Sequence, residues 1–315
     1  MTTGPTADDL IDDFTERLCE QVRQKASSLP RTYGFEYEFL PQTILDQSDL
    51  LRVTDYLKGG GFAPDGEYLR HTDGTVVTFE PGGQIEYHSP PLTAEDTEAF
   101  YRSLAVIETT NQAIGEELGI VYIGTGYMPG RADAPLCLDS PRYHKLHDRL
   151  SRSGTRGREM MKGTASVHLH VVIRNYRELI PIYIHMARYM RPSRTFGMGP
   201  ERRDIWDHTD PGRCGLPYEN ITEKSPPRAL TRELVRVAVR AEVLGEDVPF
   251  WQGSDCSYEQ FLWHMTTMFT DIRLNIKGPT LELRTPDSVP PAVFESMWEQ
   301  FIRQLSRLFD ERSPV

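Results

Sequence analysis

From Thr32 onward the apolar positions fall on every second residue: Tyr33, Phe35, Tyr37 and Phe39 alternate with Gly34, Glu36, Glu38 and Leu40. This period of two predicts a strand with one aromatic face and one face carrying two carboxylates. Upstream, residues 8–28 set Leu10, Phe14 and Leu18 along one side of a helix. After a polar, Gly-rich stretch, strands are predicted at 76–80 and 84–88 around a Pro81-Gly82-Gly83 turn. Thr93 and Asp96 then resemble a capping box, and Phe100, Leu104, Ile107, Ile114 and Leu118 recur at helical spacing until Gly119 stops the helix. Further strands are predicted at 121–123, at 164–173 (TASVHLHVVI) and at 281–284. Helices are predicted at about 178–190, 229–244, 257–269 and 291–309, the third capped by Ser257 with Gln260 as its partner. Strands grouped in hairpins, without regular alternation with helices, predict an α+β fold with an antiparallel sheet whose apolar face packs on helices. Segments 191–228 and 245–256, rich in Pro, Gly and Arg, read as loops over one side of that sheet.

Strand parity carries the chemistry. Side chains alternate across a sheet, so Glu36 and Glu38 share a face, as do Gln84, Glu86 and His88, then Ser166, His168 and His170, then Glu282 and Arg284. The opposite parity holds Phe35, Tyr37, Ile85, Tyr87, Val167, Leu169, Leu281 and Leu283. The apolar face is therefore expected against the helices and the polar face along a wet cavity. Each polar face alone could be simply solvated, but an ordinary exposed face would carry more Thr, Lys and Ser than Glu and His. Carboxylates converging in one cavity repel each other unless a cation offsets them. Oxygen ligands with one or two imidazoles suit Mg²⁺ or Mn²⁺, and open positions would take nucleotide phosphates. Zinc is the competitor, through His168-x-His170.

Composition narrows the partners. The 315 residues carry 35 basic and 46 acidic side chains, a net charge of −11, which argues against general affinity for nucleic acid or anionic lipid. Lys occurs six times, leaving 29 Arg, an excess that suits carboxylate and phosphate and that base composition of a genome also produces. Seven basic groups lie within 142–162, and Arg191, Arg194, Arg202, Arg203 and Arg213 follow, so a triphosphate or a carboxylate substrate could be met there. Cys19, Cys137, Cys214 and Cys256 form no paired motif, which fits a reducing compartment. The acidic N-terminus is unlike a secretion signal, and the longest apolar candidate, around 179–187, is broken by Pro181 and His185. A cytoplasmic protein without membrane attachment is expected. No P-loop, no GxGxxG after a strand and no GxSxG elbow is present.

In order, these motifs resemble the glutamate–cysteine ligase family, in its plant and proteobacterial branch. Glu36-x-Glu38 resembles the family's opening Glu-x-Glu, and FEPGGQIEYHSPPL (79–92) is similar to its Glu-Pro-Gly-Gly-Gln-x-Glu block, the most specific match. Pro141-Arg142-Tyr143, Met160-Met161 leading into ASVHLHV (165–171), Arg202-x-x-Ile205-Trp206, TDPGRCGLP (209–217) and LELRTPD (281–287) follow, so the likeness runs from about residue 33 to 288. It implies a glutamine synthetase-like fold whose antiparallel sheet floors the active site, in a single catalytic domain over 1–315 with 1–30 as an N-terminal helical extension. It implies further that ATP and Mg²⁺, with Mn²⁺ as the alternative, serve to phosphorylate the γ-carboxylate of glutamate before the amine of cysteine displaces phosphate. Carried over by position, Glu36, Glu38, Glu86, His168 and Glu282 become metal ligands. Gln84, Arg142 and Arg202 contact the amino acid, Lys162, Arg213 and Arg284 contact the nucleotide, and Arg213 and Arg284 act on the transferring phosphoryl group. The sequence departs from the plant pattern at His168 and His170, where Gln and Asn are usual, and at Gly163, where Arg is usual and Lys162 stands adjacent. It is also shorter than typical relatives.

The expected function is therefore ATP-dependent formation of γ-glutamylcysteine by a monomer or homodimer. The alternatives are a carboxylate–amine ligase using another amine, and a noncatalytic relative that binds nucleotide or amino acid. A complete set of acidic strand positions argues against the last, because a binding module has no need of a multi-metal site.

Overall fold

The computed structural model describes residues 5–26, 30–215, 218 and 220–310. Residues 27 and 28 of the first predicted helix, 1–4 and 29 of the N-terminal extension, and Leu216 and Pro217 of the TDPGRCGLP segment lie outside the described residues.

The chain begins with α1 (Ala7–Lys25), opened by a capping box in which Thr6 and Asp9 exchange side-chain and backbone hydrogen bonds. β1 (Tyr33–Pro41), α2 (Gln47–Gly59) and the strands β2 (Phe62–Asp65), β3 (Tyr68–His71), β4 (Val76–Phe79) and β5 (Ile85–His88) follow. Then come α3 (Thr97–Leu118), β6 (Tyr122–Ile123), α4 (Pro141–Ser153), α5 (Gly157–Gly163) and β7 (Val167–Val172). The C-terminal half holds α6 (Leu179–His185), whose continuation over Met186–Met190 widens to a π-turn, α7 (Pro200–Asp207), β8 (Cys214–Gly215) and α8 (Pro227–Arg240). It ends with α9 (Tyr258–Met265), β9 (Phe269–Thr270), β10 (Ile272–Asn275), β11 (Thr280–Leu283) and α10 (Pro291–Asp310).

The main sheet runs β10-β11-β7-β1-β5-β4-β3-β2, with β6 pairing the end of β1, and every adjacent pair is antiparallel. β8 and β9 form a separate parallel pair. The α+β class and antiparallel sheet read from the sequence are those observed. The expected apolar parity also holds, for Phe35, Tyr37, Ile85, Tyr87, Val167, Leu169, Leu281 and Leu283 are all buried. Phe35 makes edge contacts with Phe100 of α3 and with Phe294 and Trp298 of α10, so these two helices close the apolar face.

Three expectations change. The cap of α3 is Asp96, which accepts from Ala99 N at 3.0 Å, rather than Thr93. The polar stretch before residue 76 contains α2 and the β2–β3 hairpin, an edge element carrying Pro64, so little apolar periodicity marked it. The polar face is not wet: Glu38, Glu86, His168, Glu282 and Arg284 are each less than 10% exposed. A second apolar cluster of α4, α5 and α7, centred on Leu146, Leu150, Met160, Met161, Ile205 and Trp206, accompanies that burial. Part of the 191–228 loop is thus helical.

No helix among the described residues is long and apolar enough to cross a membrane.

Candidate metal centre on the polar face

β1 lies between β5 and β7, and the register decides which polar groups meet. Glu36 stands opposite His168 on one side and His88 on the other, and Glu38 opposite Glu86. Across β7, Glu282 of β11 faces His170, and Arg273 of β10 faces Glu282. Cross-strand partners of this kind lie close enough for direct contact.

His168 is the hub. Its Nδ1 is 2.6 Å from Glu36 Oε2 and 3.5 Å from Glu282 Oε1, while its Nε2 is 2.8 Å from Ser166 Oγ and 3.6 Å from Glu38 Oε1. Glu38 Oε2 accepts from the Ser166 backbone N–H at 2.7 Å. Glu282 pairs with Arg273 at 2.8 Å and with Arg284 Nε at 3.0 Å. Two groups of donors result, Glu36/His168/Glu282 and Glu38/Glu86/His168, each with its ligand atoms within 4.8 Å of one another. A neutral imidazole has one lone pair, so His168 serves one of the two positions at a time.

Burial and charge act unequally on these groups. Burial opposes ionisation of Glu36, yet the charge of His170 and hydrogen bonds from His168, His170 and His88 hold its carboxyl well below the usual range. Glu282 is likewise held low against burial, chiefly by Arg273. Burial pushes Glu38 up despite Arg202 and Ser166. Glu80, at the end of β4, is pushed well above the usual range by burial and by Glu86 and Glu38. Burial and Arg284 lower His168, which favours its neutral form, whereas Glu86 and Glu36 raise His88 against burial. Carboxylates therefore crowd the Glu38/Glu80/Glu86 side, and Glu282 Oε1, buried in its ion pair with Arg284 Nε, makes no hydrogen bond of good geometry. Hard oxygen donors with one imidazole in such a setting fit a divalent cation.

The structure brings Glu36, Glu38, Glu86, His168, Glu282 and Arg284 to one face. Arg142 is exposed at the start of α4, with its charge felt by Glu80. The remaining predicted contacts point elsewhere. Gln84 spends its amide on Gly82 N, Met161 O and Thr164 O. Lys162 Nζ donates to the carbonyls of Ala132 and Ala134 at 2.5 and 2.6 Å. Arg202 grips the carbonyls of Arg284, Thr285 and Pro286 and the Asp287 carboxylate. Arg213, bound to Asp210, Thr267 and the Glu242 carbonyl, anchors the β8–β9 ribbon. Each of these four already satisfies buried backbone groups, which a ligand contact would leave unpaired. The Gly-Gly turn shows the same logic. A Cβ on Gly82 would stand 2.5 Å from the Lys162 carbonyl, and Gly83 has φ +82°.

Sequence reading missed Glu80, His88 as a close neighbour of Glu36, and Arg273. Glu80 continues the parity of Thr78 and Glu86 but sits at a turn. Arg273 was legible in the alternation Ile272-Arg273-Leu274-Asn275 before Gly278-Pro279.

The model of glutamate–cysteine ligase family 2 matches residues 32–195. The chloroplastic glutamate–cysteine ligase of Solanum lycopersicum is 25% identical over 236 residues, 67% of this chain and 43% of that protein. That of Arabidopsis thaliana is 24% identical over a 332-residue alignment, covering 92% and 61%. Glutamate–cysteine ligase EgtA of Mycobacterium tuberculosis is 25% identical over 274 residues, covering 76% and 60%. The chain spans about half the length of the curated relatives it matches. A solved structure described as a novel glutamine synthase homolog aligns with 97% of this chain and 60% of its own at 11% identity and a TM-score of 0.34.

Proposed function

The chain belongs to glutamate–cysteine ligase family 2, and we propose that it is an ATP-dependent carboxylate–amine ligase that makes γ-glutamylcysteine. One γ-carboxylate oxygen of glutamate attacks the terminal phosphorus of ATP and ADP departs. The α-amine of cysteine then attacks the acyl carbon of the γ-glutamyl phosphate, phosphate leaves and the amine loses a proton. The observation that carries this reading is the buried array of Glu36, Glu38, Glu86, His168 and Glu282, each projected by a strand and therefore held rigidly.

A bound divalent cation, Mg²⁺ or Mn²⁺, supplies charge neutralisation for the transferring phosphoryl group. Glu36 and Glu282 would hold an ion on one side of His168 and Glu38 and Glu86 on the other, the single lone pair of His168 completing one of the two positions. Arg284, fixed against Glu282, offers a planar guanidinium to developing phosphoryl charge. Arg202 locks the chain that follows Arg284, and Gln84 and Lys162 lock the turn and the strand entry beside Glu86 and Ser166. Arg142, at the rim and near Glu80, suits a substrate carboxylate.

Purified chain is incubated with ATP, a divalent cation and glutamate, and ADP release and product mass are followed across a panel of amines. ADP release that needs both glutamate and cysteine, with γ-glutamylcysteine as product, is expected. Equal dependence on a different amine would move the assignment to another carboxylate–amine ligase. ADP release that ignores glutamate, or none with any amine, would overturn the reading.

A further inference from the structure

One histidine lies on the apolar face of the sheet, away from the centre described above. Leu69 pairs with Val77, Val77 with Tyr87 and Tyr87 with Tyr37, so Leu69 and His71 of β3 share the helix-covered face. Phe62 of β2 pairs directly with His71. Glu36 and Glu86 project from the other side of the sheet. Where α2 and α3 pass over this edge hairpin they leave a cavity of about 310 Å³, at the small end of ligand cavities. Leu57 of α2, Val106 and Ala113 of α3 and Phe62 form its apolar wall, and among the described residues that line it none is Asp, Glu, Lys or Arg.

The His71 ring is held in one orientation. Its Nδ1 is 2.9 Å from Asp73 Oδ1, and the Asp73 carboxylate also accepts from Thr75 N at 2.8 Å and Thr75 Oγ1 at 2.9 Å. Burial opposes the charge of Asp73, but these bonds from Thr75 and His71 hold its carboxyl below the usual range. An ionised carboxylate only accepts, so Nδ1 carries the ring proton, the Asp73 backbone N–H standing farther off at 3.4 Å. In that tautomer Nε2 offers a lone pair, and among the described residues it meets no donor. The ring edge that bears Nε2 runs beside Gly61, where a Cβ would stand 3.8 Å from Nε2 and Cδ2, and the adjacent Gly60 lines the cavity.

We propose that this cavity binds a small neutral phenol, whose hydroxyl donates to His71 Nε2 while its ring packs on Phe62, Leu57 and Val106. Each part of the ligand follows from the chemistry of the wall. The lone pair calls for a donor, and a wall without charge excludes a carboxylate, phosphate or ammonium, which would be buried unpaired. Phe62 and His71 stand 5.1 Å apart between ring centroids with 46° between planes, a tilted pair that offers edge and face to a third ring. Binding here needs no metal, nucleotide or amino acid at the polar centre.

The test is saturation-transfer NMR on the full chain, without ATP, metal or amino acid, using p-cresol, its methyl ether 4-methylanisole, and 4-methylbenzoate. Wild type should bind p-cresol saturably with a dissociation constant of about 1 mM or below, the methyl ether about 3 to 10-fold more weakly, and the benzoate not at all up to about 10 mM. His71→Phe keeps a ring beside Phe62 but no acceptor, so it should weaken p-cresol by that same factor and leave the ether unchanged within about twofold. Ala113→Phe, which fills the cavity from α3, should abolish binding of both. Failure of p-cresol to saturate up to about 10 mM would overturn the proposal. So would binding that survives Ala113→Phe, or equal binding of cresol and ether, which would leave a plain apolar groove of the kind a protein segment covers. The comparison of probes on wild type decides the matter even where a variant fails to fold.

Discussion

Replacing Arg202 by Lys separates a scaffold role from the substrate contact that the family resemblance implies. The Arg202 guanidinium is 1% exposed. It donates from Nη1 to the Thr285 and Pro286 carbonyls at 3.0 and 3.2 Å and to Asp287 Oδ1 at 3.0 Å, and from Nη2 to the Arg284 carbonyl at 3.0 Å. It also lies 5.2 Å over the Trp206 ring. A single ammonium cannot reach this spread of acceptors, so at least two buried carbonyls lose their donor, at about 1 to 1.5 kcal/mol each. With weakened stacking on Trp206, Arg202→Lys should cost about 3 kcal/mol, roughly a 150-fold fall in the folding constant. The melting temperature should drop by about 6 °C in a chain of this size. Urea unfolding reads the stability, and steady-state kinetics should show a lower kcat, because the chain after Arg284 loosens, with KM for glutamate within about twofold. Unchanged stability with a tenfold rise in KM for glutamate would rule out the scaffold role and return Arg202 to the substrate.

Glu86→Gln should lower turnover by at least about 100-fold by removing a cation ligand, while metal-free protein melts no lower, since a crowded carboxylate has gone; near-normal turnover would contradict the assignment. Arg284→Lys keeps the charge but loses the fork, and kcat should fall by about 100-fold with modest change in melting temperature. A large loss of stability at normal rate would instead make Arg284 structural. His264, buried with Nε2 bonded to the Ala238 carbonyl, is lowered from 6.5 to about 4 by burial and by Arg213. The unfolded chain therefore takes up the proton first, so stability present above pH 6.5 is lost as pH falls towards 4, by up to about 3 kcal/mol. Urea unfolding at pH 7 and pH 4.5 should show that loss in wild type and a smaller one in His264→Phe; equal losses would exclude His264 as the cause.

Long amphipathic elements were legible because burial enforces their period. The aromatic parity of β1 and the helical spacing of 100–118 appear in the structure within a few residues. The polar face was legible for the same reason, since Glu36, Glu38, Glu86, His168, Glu282 and Arg284 follow strand alternation. Parity could not reveal which arginines were already committed. Arg202 and Arg213 satisfy backbone carbonyls from distant segments, a tertiary fact with no local signature, and Lys162 and Gln84 do the same. The expected wet cavity failed for a related reason. α4, α5 and α7 carry short apolar sets such as Leu146, Leu150, Ile205 and Trp206 within strongly charged stretches, and charge masked the packing that accompanies a dry polar face.

Activation of a carboxylate by phosphoryl transfer leaves a signature that oxygen tracing can read. Glutamate labelled with ¹⁸O in its γ-carboxyl group is turned over with ATP, a divalent cation and cysteine, and the released phosphate is weighed by mass spectrometry. One ¹⁸O is expected in each phosphate formed, because the oxygen that attacks phosphorus leaves with it when the amine takes its place. Phosphate carrying no label while ADP accumulates would mean that water, not glutamate, receives the phosphoryl group, and would rule out a γ-glutamyl phosphate.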